Sequence, residues 1–201
     1  LEDRNTGAEI ERRALGLNAG YNFGAIVYSA ALEYRTDTTE STDTSTSKRT
    51  TWLMKNNVRY QVDSDWRFLG KANFSRSEST LGDLFSGNFT EIVLGYGYRP
   101  IDNDRLNTLF KYTYFYNVPF GDLSSTDPVT GQVVGASSSP VDFIQKSHIL
   151  SFDAIFDITQ RWSLGGKYAY RLGQLAQDRQ NPEFFDSRAS LYILRADWHF
   201  T

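Results

Sequence analysis

The 201-residue sequence contains no cysteine, one methionine, two histidines and five prolines. Without cysteine there can be no disulfide framework, no thiolate metal ligand and no cysteine nucleophile. The sequence also lacks any run of about 18 apolar residues, which excludes a membrane-spanning α-helix. Its formal net charge of −3 provides no overall basic field, so nucleic acid is not an expected partner. The length suits one domain or a piece of a larger one.

Aromatic residues, by contrast, make up 15% of the sequence, and long stretches alternate in character. The clearest stretch is 144–171, in which two alternating runs are joined by a short polar turn at 159–161. In the first run Phe152 and Phe156 fall on one face, and Asp153 falls on the other. A period of two indicates β-strands, because successive side chains point to opposite faces. Each run is about ten to thirteen residues long, roughly twice a soluble strand and suited to a tilted strand that crosses a membrane.

The same pattern recurs along the chain. Further alternating strands are predicted at 6–21, 26–35, 49–62, 66–77, 88–99, 105–117 and 188–200. Short turns such as 63–65 and 102–104 alternate with long loops, which are predicted at 36–48, 78–87, 118–145 and 173–187. Outer-membrane barrels have short periplasmic turns and long extracellular loops. The predicted fold is therefore all-β, a transmembrane antiparallel up-and-down β-barrel with about nine visible strands.

Aromatic residues are predicted to cluster at both rims of this barrel, as amphipathic rings at both headgroup levels require. The short-turn rim carries Tyr21, Tyr60, Trp66, Tyr98, Trp162 and Trp198. The long-loop rim carries Tyr34, Trp52, Phe74, Tyr114, Tyr116 and Tyr170. A soluble β-sandwich also alternates and has loops, but it does not account for the strand length, the loop asymmetry or the two belts.

Charged side chains occupy the alternate positions and are predicted to face the lumen. The basic members are Lys55, Arg59, Arg67, Lys71, Lys111, Lys167, Arg171 and Arg195. The acidic members are Glu33, Glu91, Asp153, Asp157 and Asp197. In a wide barrel this excess of basic residues would line an aqueous channel with a mild anion preference. In a narrow barrel the same charges would pair and close it, and the total strand number, which sets the diameter, leaves both open.

An outer-membrane hydrolase is a further alternative, since such an enzyme would use a Ser/His or Asp/His pair near the outer rim. Ser147 and His148 are adjacent in one strand, so they point to opposite faces and cannot form such a pair. We interpret His148 as a belt residue near lipid headgroups. His199, beside Asp197, is interpreted as a rim hydrogen-bonding residue. No catalytic residue is predicted.

Paired carboxylates and metal sites have simpler explanations. Asp153 and Asp157 could act together, but Lys167 and Arg171 of the neighbouring strand favour cross-strand ion pairs. The acidic turns at 63–65 and 102–104 match no Ca²⁺ loop, which needs its glycine and a distal glutamate. We predict no metal and no cofactor.

The direction of the strands bears on completeness. The first strand runs down from the long-loop side, so the visible chain begins outside the cell. Because about nine strands that start outside cannot close antiparallel, we expect at least one further strand before Leu1. The opening residues 1–4 are charged and do not form a signal peptide, which indicates a mature form or an internal fragment.

Three segments carry a resemblance to a known family: DRLNTLFKYTYFYNVP (104–119), QKSHILSFDAIFDITQRWSLGGKYAYRLG (145–173) and SRASLYILRADWHF (187–200). They resemble the barrel at the C-terminal end of very large, repeat-bearing surface proteins of Gram-negative bacteria. The resemblance covers about residue 90 onward and implies an outer-membrane β-barrel whose strands continue beyond the visible chain. Barrels generally end in an aromatic residue that the assembly machinery reads, whereas here Thr201 follows Phe200, which favours truncation.

Three functions follow as hypotheses. The leading one is a non-enzymatic outer-membrane barrel that anchors or translocates a larger surface protein. The alternatives are a porin-like diffusion channel with a mildly basic lumen and, from a different class, an outer-membrane hydrolase. The expected partners are outer-membrane lipid and lipopolysaccharide, the barrel assembly machinery, and further strands or domains of a larger chain.

Overall fold

The computed structural model describes residues 2–3, 8–40, 46–102, 105–118, 125–126, 133–134 and 143–198. Nine long strands dominate this part of the chain. They are β2 (Ala8–Asn22), β3 (Ile26–Glu40), β4 (Thr46–Gln61), β5 (Trp66–Ser79), β6 (Gly87–Tyr98), β7 (Leu106–Val118), β10 (Ile144–Asp157), β11 (Trp162–Ala176) and β12 (Phe184–Trp198). The short elements are β1 (Glu2–Asp3), a 3₁₀ turn at Asp83–Phe85, β8 (Ser125–Thr126) and β9 (Val133–Val134).

The nine long strands form one sheet in which every neighbour is antiparallel and the spatial order follows the chain. The predicted antiparallel up-and-down architecture is therefore confirmed. A β-sandwich would need a second large sheet packed on the first, and β8 and β9 form only a two-residue ladder. Two residues of β1 pair with the start of β2, but within the described ranges no ladder joins β12 to β1 or β2, so most of both edges of the sheet carries unpaired backbone groups. Nowhere in those ranges is a helix long and apolar enough to cross a membrane.

The buried polar side chains of the sheet are hydroxyl residues, and all of them lie on its inner face. Ser147 and Ser151 are 3% and 4% exposed, whereas Leu150 and Phe152 on the other face are 45% and 46% exposed. Large apolar side chains on soluble proteins are rarely exposed in continuous patches. Large apolar side chains exposed on the outer face, with buried hydroxyls on the inner one, are what a barrel surrounded by lipid requires.

Side-chain oxygens accept hydrogen bonds in the short turns that join the two strands of each hairpin. The Asp63 carboxylate accepts hydrogen bonds from the backbone N–H groups two and three positions further on, both at 2.8 Å. The Thr159 hydroxyl does the same at 3.2 and 3.1 Å. In the turn after β2, Asn22 accepts from the N–H of Gly24, whose φ of 76° suits glycine. The predicted turns at 63–65 and 159–161 are thus present, while 103–104 of the third lie outside the described residues.

Several strands extend further toward the long-loop rim than the sequence analysis predicts. Residues 36–40 and 46–48 were expected in a loop but continue β3 and β4, and 173–176 and 184–187 continue β11 and β12. A Ser/Thr/Asp tract has nothing apolar to bury, but a backbone ladder in water needs no buried face. Residues 119–124, 127–132 and 135–142 of the longest predicted loop lie outside the described part.

Candidate functional site

The inner face of the sheet is the candidate functional surface. Strand register places all of the predicted lumen-facing charged residues in one alternation class, on the same face as Ser151. Hydrogen-bonded partners across antiparallel strands point to the same face, so the assignment carries from each strand to the next. The set is Glu33, Lys55, Arg59, Arg67, Lys71, Glu91, Lys111, Asp153, Asp157, Lys167, Arg171, Arg195 and Asp197.

Part of this set forms ion pairs. Asp153 lies directly opposite Lys167 in the ladder between β10 and β11, with an Oδ1–Nζ distance of 3.1 Å. Glu91 accepts from Lys71 at 2.8 Å and from the Asn73 amide at 3.0 Å. These side chains are a quarter to two fifths exposed, so each pair contributes on the order of 0.2–1 kcal/mol. The pairs fix side-chain directions on the wall more than they stabilise it.

Arg171 and Asp157 do not form the expected ion pair. Register places Arg171 opposite Ile149, and Asp157 accepts instead from the Ser163 hydroxyl at 2.6 Å. The Arg171 guanidinium lies over Gly173, where a Cβ atom would approach its Nε and Nη2 at 3.1 Å. The Arg171 Nε is buried without a hydrogen-bond partner.

Two further charged residues on this face contact groups other than the expected ones. Arg67 donates to the Gln61 side chain at 2.8 Å, across the ladder between β4 and β5. Asp197 accepts from Arg195 of its own strand at 2.7 Å. His199, which was expected to interact with Asp197, lies outside the described residues.

Five basic residues of the inner face have no carboxylate partner in the described part of the chain: Lys55, Arg59, Arg67, Lys111 and Arg171. Arg59 and Lys111 lie in one hydrogen-bonding row, which is a line of residues that are partners across successive strands, and Leu69 and Gly95 lie between them. Arg171 belongs to the next row, which also contains Lys71, and Lys55 belongs to the one after that. Arg67 lies in the row on the other side of Arg59, so these cations occupy four consecutive rows of the wall.

An additional charged cluster at the long-loop rim was missed by the sequence analysis. Asp37 accepts from Arg12 at 2.6 Å and lies 3.2 Å from the Nε of Arg35. Asp37 also lies opposite Arg49 in the ladder between β3 and β4. Its alternation with Glu33 and Arg35 was the available signal, but the segment had been assigned to a loop.

Apolar side chains interrupt the inner wall. Leu69 and Leu109 lie beside Gly95, where an added Cβ would contact both at 3.4 and 3.7 Å. Toward the short-turn rim, a cavity of about 690 Å³ is lined by residues that include Leu109, Ile155 and Asp153. The wall is therefore mixed in character, with charges separated by apolar patches.

The outward face carries the predicted aromatic residues, several of which pair. At the short-turn rim, the rings of Trp162 and Trp198 stack at 5.4 Å, and Trp66 lies 4.5 Å from Tyr98. At the long-loop rim, Tyr34 lies 4.6 Å from Trp52. Strand register places the whole predicted set on the outward face: Tyr21, Tyr34, Trp52, Tyr60, Trp66, Phe74, Tyr98, Tyr114, Tyr116, Trp162, Tyr170 and Trp198.

His148 belongs to this outward surface. Its Nδ1 lies 2.8 Å from the Tyr112 hydroxyl, and its ring lies 5.1 Å from that of Tyr114. Ser147 points to the inner face, where its hydroxyl is buried. The only described histidine thus contacts tyrosines and has no serine or carboxylate within hydrogen-bonding distance. The described residues also contain no group of three or more His, Asp or Glu side chains that could hold a metal ion.

Two loops contact each other at the long-loop rim. The Arg179 guanidinium, in the loop between β11 and β12, donates to the backbone carbonyls of Asp83 at 3.1 Å and Ser86 at 2.9 Å. Asp83 and Ser86 belong to the loop between β5 and β6. Since β7 and β10 lie between these hairpins in the sheet, the contact spans the curvature of the wall.

Comparisons with known proteins find similar architecture among solved structures. No protein-family model matches the sequence, and no curated protein matches it. Among solved structures, the chain is similar to outer-membrane-expressed OmpT of Vibrio cholerae, with a TM-score of 0.53 and 12% identity. That match covers 94% of this chain and 57% of OmpT, so the chain spans little more than half the length of that protein.

Two weaker matches are to a copper transporter and a porin. One is the copper transporter OprC, with a TM-score of 0.31, 12% identity, and coverage of 96% of this chain and 43% of OprC. The other is the NanC porin, with a TM-score of 0.31, 9% identity, and coverage of 96% and 98%. The comparison with OmpT of Vibrio cholerae, together with the single antiparallel up-and-down sheet, assigns the fold: this chain is an all-β protein with the outer-membrane β-barrel fold.

Proposed function

We propose that this chain forms part of the wall of an outer-membrane β-barrel in a Gram-negative bacterium and lines a water-filled passage that favours anions. The observation that carries the proposal is a set of five inner-face cations that have no carboxylate partner among the described residues: Lys55, Arg59, Arg67, Lys111 and Arg171. Rings of basic side chains lower the energy of an anion in a pore and raise that of a cation. The paired residues on the same wall contribute little net charge.

The prediction that further strands complete the barrel is supported by the two open edges of the sheet. Unpaired N–H and C=O groups cost several kcal/mol each in hydrocarbon, on the order of the penalty for burying any unsatisfied polar group. Both edges therefore need partners within a membrane. Strands from elsewhere in a longer chain would provide them, and the resemblance to the C-terminal barrels of large surface proteins agrees with such a chain.

We propose that the role is not enzymatic. In support, His148 is bound by tyrosines and Asp153 is held by Lys167, so neither is arranged as a general base for a neighbouring nucleophile. The anchoring or translocation of a larger surface protein stays a prediction. Ion conductance distinguishes it from passive diffusion, because a barrel that only anchors would have a filled lumen and would carry no current.

The test is ion conductance of the full protein in planar bilayers under a KCl gradient. We expect open-channel current with a reversal potential on the anion-selective side. Replacing Arg59→Gln and Lys111→Gln together should move that potential toward cation selectivity. The matched control is Arg13→Gln with Arg76→Gln, which removes two positive charges from the outward face and should leave it unchanged.

Two results would contradict the passage. One is a folded, membrane-inserted protein that carries no current, which would leave the anchoring prediction standing. The other is a reversal potential that responds equally to both double substitutions, because a selectivity set by the lumen cannot depend on outward charges.

A further inference from the structure

A lysine on the outward face of the long-loop rim is held between aromatic rings. Lys146 is the third residue of β10 and shares the outward register of His148. Its Nζ lies 4.1 Å from the centroid of the Phe184 ring and 6.0 Å from that of Tyr116. Aromatic faces attract a cation but leave its charge uncompensated.

A second cation lies on the neighbouring outward surface. Arg188 of β12 is in one hydrogen-bonding row with Leu172 and His148. It is thus two strands from His148, about 10 Å at the usual strand spacing. Throughout the described ranges, no carboxylate lies within ion-pair distance of Lys146 or Arg188.

Two other outward cations near this rim, Arg13 and Arg76, differ in this respect. Arg13 is paired with Glu11 at 2.7 Å, and Arg76 with Glu78 at 2.8 Å. Both pairs lie within a single strand, two residues apart, so each neutralises itself locally. An external anion therefore gains less by approaching these two arginines than by approaching the unpaired cations of β10 and β12.

One carboxylate does share the outward rim with Lys146. Asp186 lies in the same hydrogen-bonding row, with Gln174 between them. The Gln174 amide donates to the Asp186 carboxylate at 3.0 Å. Gln174 thus provides a hydrogen bond to one oxygen of the Asp186 carboxylate, while the Lys146 ammonium group lies against the aromatic rings.

We propose that Lys146 and Arg188 bind a phosphate group of lipid A, the membrane anchor of lipopolysaccharide. The inference rests on the proposed outer-membrane location, but not on the proposed passage. The long-loop rim faces the outer leaflet in this orientation, and cations at the headgroup level of a barrel meet anionic headgroups there. Leu172 lies beside Arg188 and Leu150 lies one row closer to the short turns, and at 44% and 45% exposed they offer an apolar surface for the acyl chains.

The test measures retention of lipid A by the full protein. The protein is refolded into phosphatidylcholine vesicles that contain bisphosphorylated lipid A, and native mass spectrometry after extraction counts the bound lipid. Lys146→Gln should weaken binding about fivefold, and Lys146→Gln with Arg188→Gln about 25-fold, from the usual contribution of a basic residue at an anionic surface. Lys55→Gln is the matched control, since it removes a lysine from the inner face and should leave the number of bound lipid A molecules unchanged.

Heat-modifiable gel mobility establishes that each variant is folded before binding is compared. Loss of retained lipid with Lys146→Gln and not with Lys55→Gln supports the site. Equal retention by wild type and Lys146→Gln, or equal binding of lipid A that lacks its phosphates, overturns it. Displacement of lipid A by inorganic phosphate alone would show that the cradle takes a free anion, and would overturn the assignment to lipid.

Discussion

A single arginine placed on either face of the sheet tests the assignment of inside and outside. Leu150 lies at the middle of β10, is 45% exposed and faces outward between Tyr112 and Tyr170 in the ladders. Leu150→Arg would place a charge against hydrocarbon, at a cost of about 2–4 kcal/mol near the bilayer midplane. Ala169 lies beside Tyr170 in β11 but faces inward, opposite Ser151. Ala169→Arg adds the same charge to a polar wall.

The expected difference is large enough to measure by equilibrium unfolding. A loss of about 2–4 kcal/mol corresponds to a shift of roughly 1–2 M in the urea midpoint for ordinary denaturant slopes. The full protein is refolded into phosphatidylcholine vesicles and its folded fraction is followed by tryptophan fluorescence. We expect a large decrease for Leu150→Arg and a small one for Ala169→Arg. Equal midpoints, or the reverse order, would refute the assignment of the apolar face to lipid.

Two further substitutions test local packing by the same measurement. Gly70→Ala should cost about 1–3 kcal/mol, because its Cβ would lie 2.6 Å from the Cγ1 of the stiff Val58 side chain. Gly166→Ala, with no atom within 4 Å of the added Cβ, should be neutral or slightly stabilising, and equal losses would contradict the steric argument. Ser77→Ala should cost about 1–3 kcal/mol, because it leaves the buried Thr51 hydroxyl without its 2.6 Å partner. Adding Thr51→Val should recover part of that loss, and strictly additive losses would show that the hydroxyl pair is not coupled.

The sequence predicted the strands where each side chain had one unambiguous environment. In 144–171, large apolar residues alternate with small or charged ones, and the observed hairpin has its turn at the predicted place. The prediction failed at strand ends that extend beyond the apolar part of the sheet. Residues 36–40 and 46–48 are polar on both faces, so they show no period of two in hydropathy, although their backbones remain paired.

The sequence predicted the face of the sheet on which each charged side chain lies better than it predicted which of these side chains form pairs. Alternation alone places Lys167 and Arg171 on the face of Asp153 and Asp157. Which residues meet depends on register, and a ladder that sets Asp153 against Lys167 necessarily sets Arg171 against Ile149. Register follows from the length and closure of the turn, which hydropathy does not reveal. The contact of Arg179 with the loop of another hairpin, which β7 and β10 separate from its own, could not be predicted either, because it depends on the curvature of the sheet.

The side-chain caps at the short turns make the two rims unequal in their tolerance of change. One residue inserted between Asp63 and Trp66 would break the carboxylate cap, and a one-residue slip of β5 would turn Phe68 inward and Lys71 toward lipid. At the long-loop rim, the register of each hairpin is already set by its short turn at the other end. Residues inserted into a long loop therefore leave the pairing of the strands unchanged. Variation in this molecule, whether by natural drift or by insertion of a foreign peptide, is therefore channelled to the side that the long loops occupy.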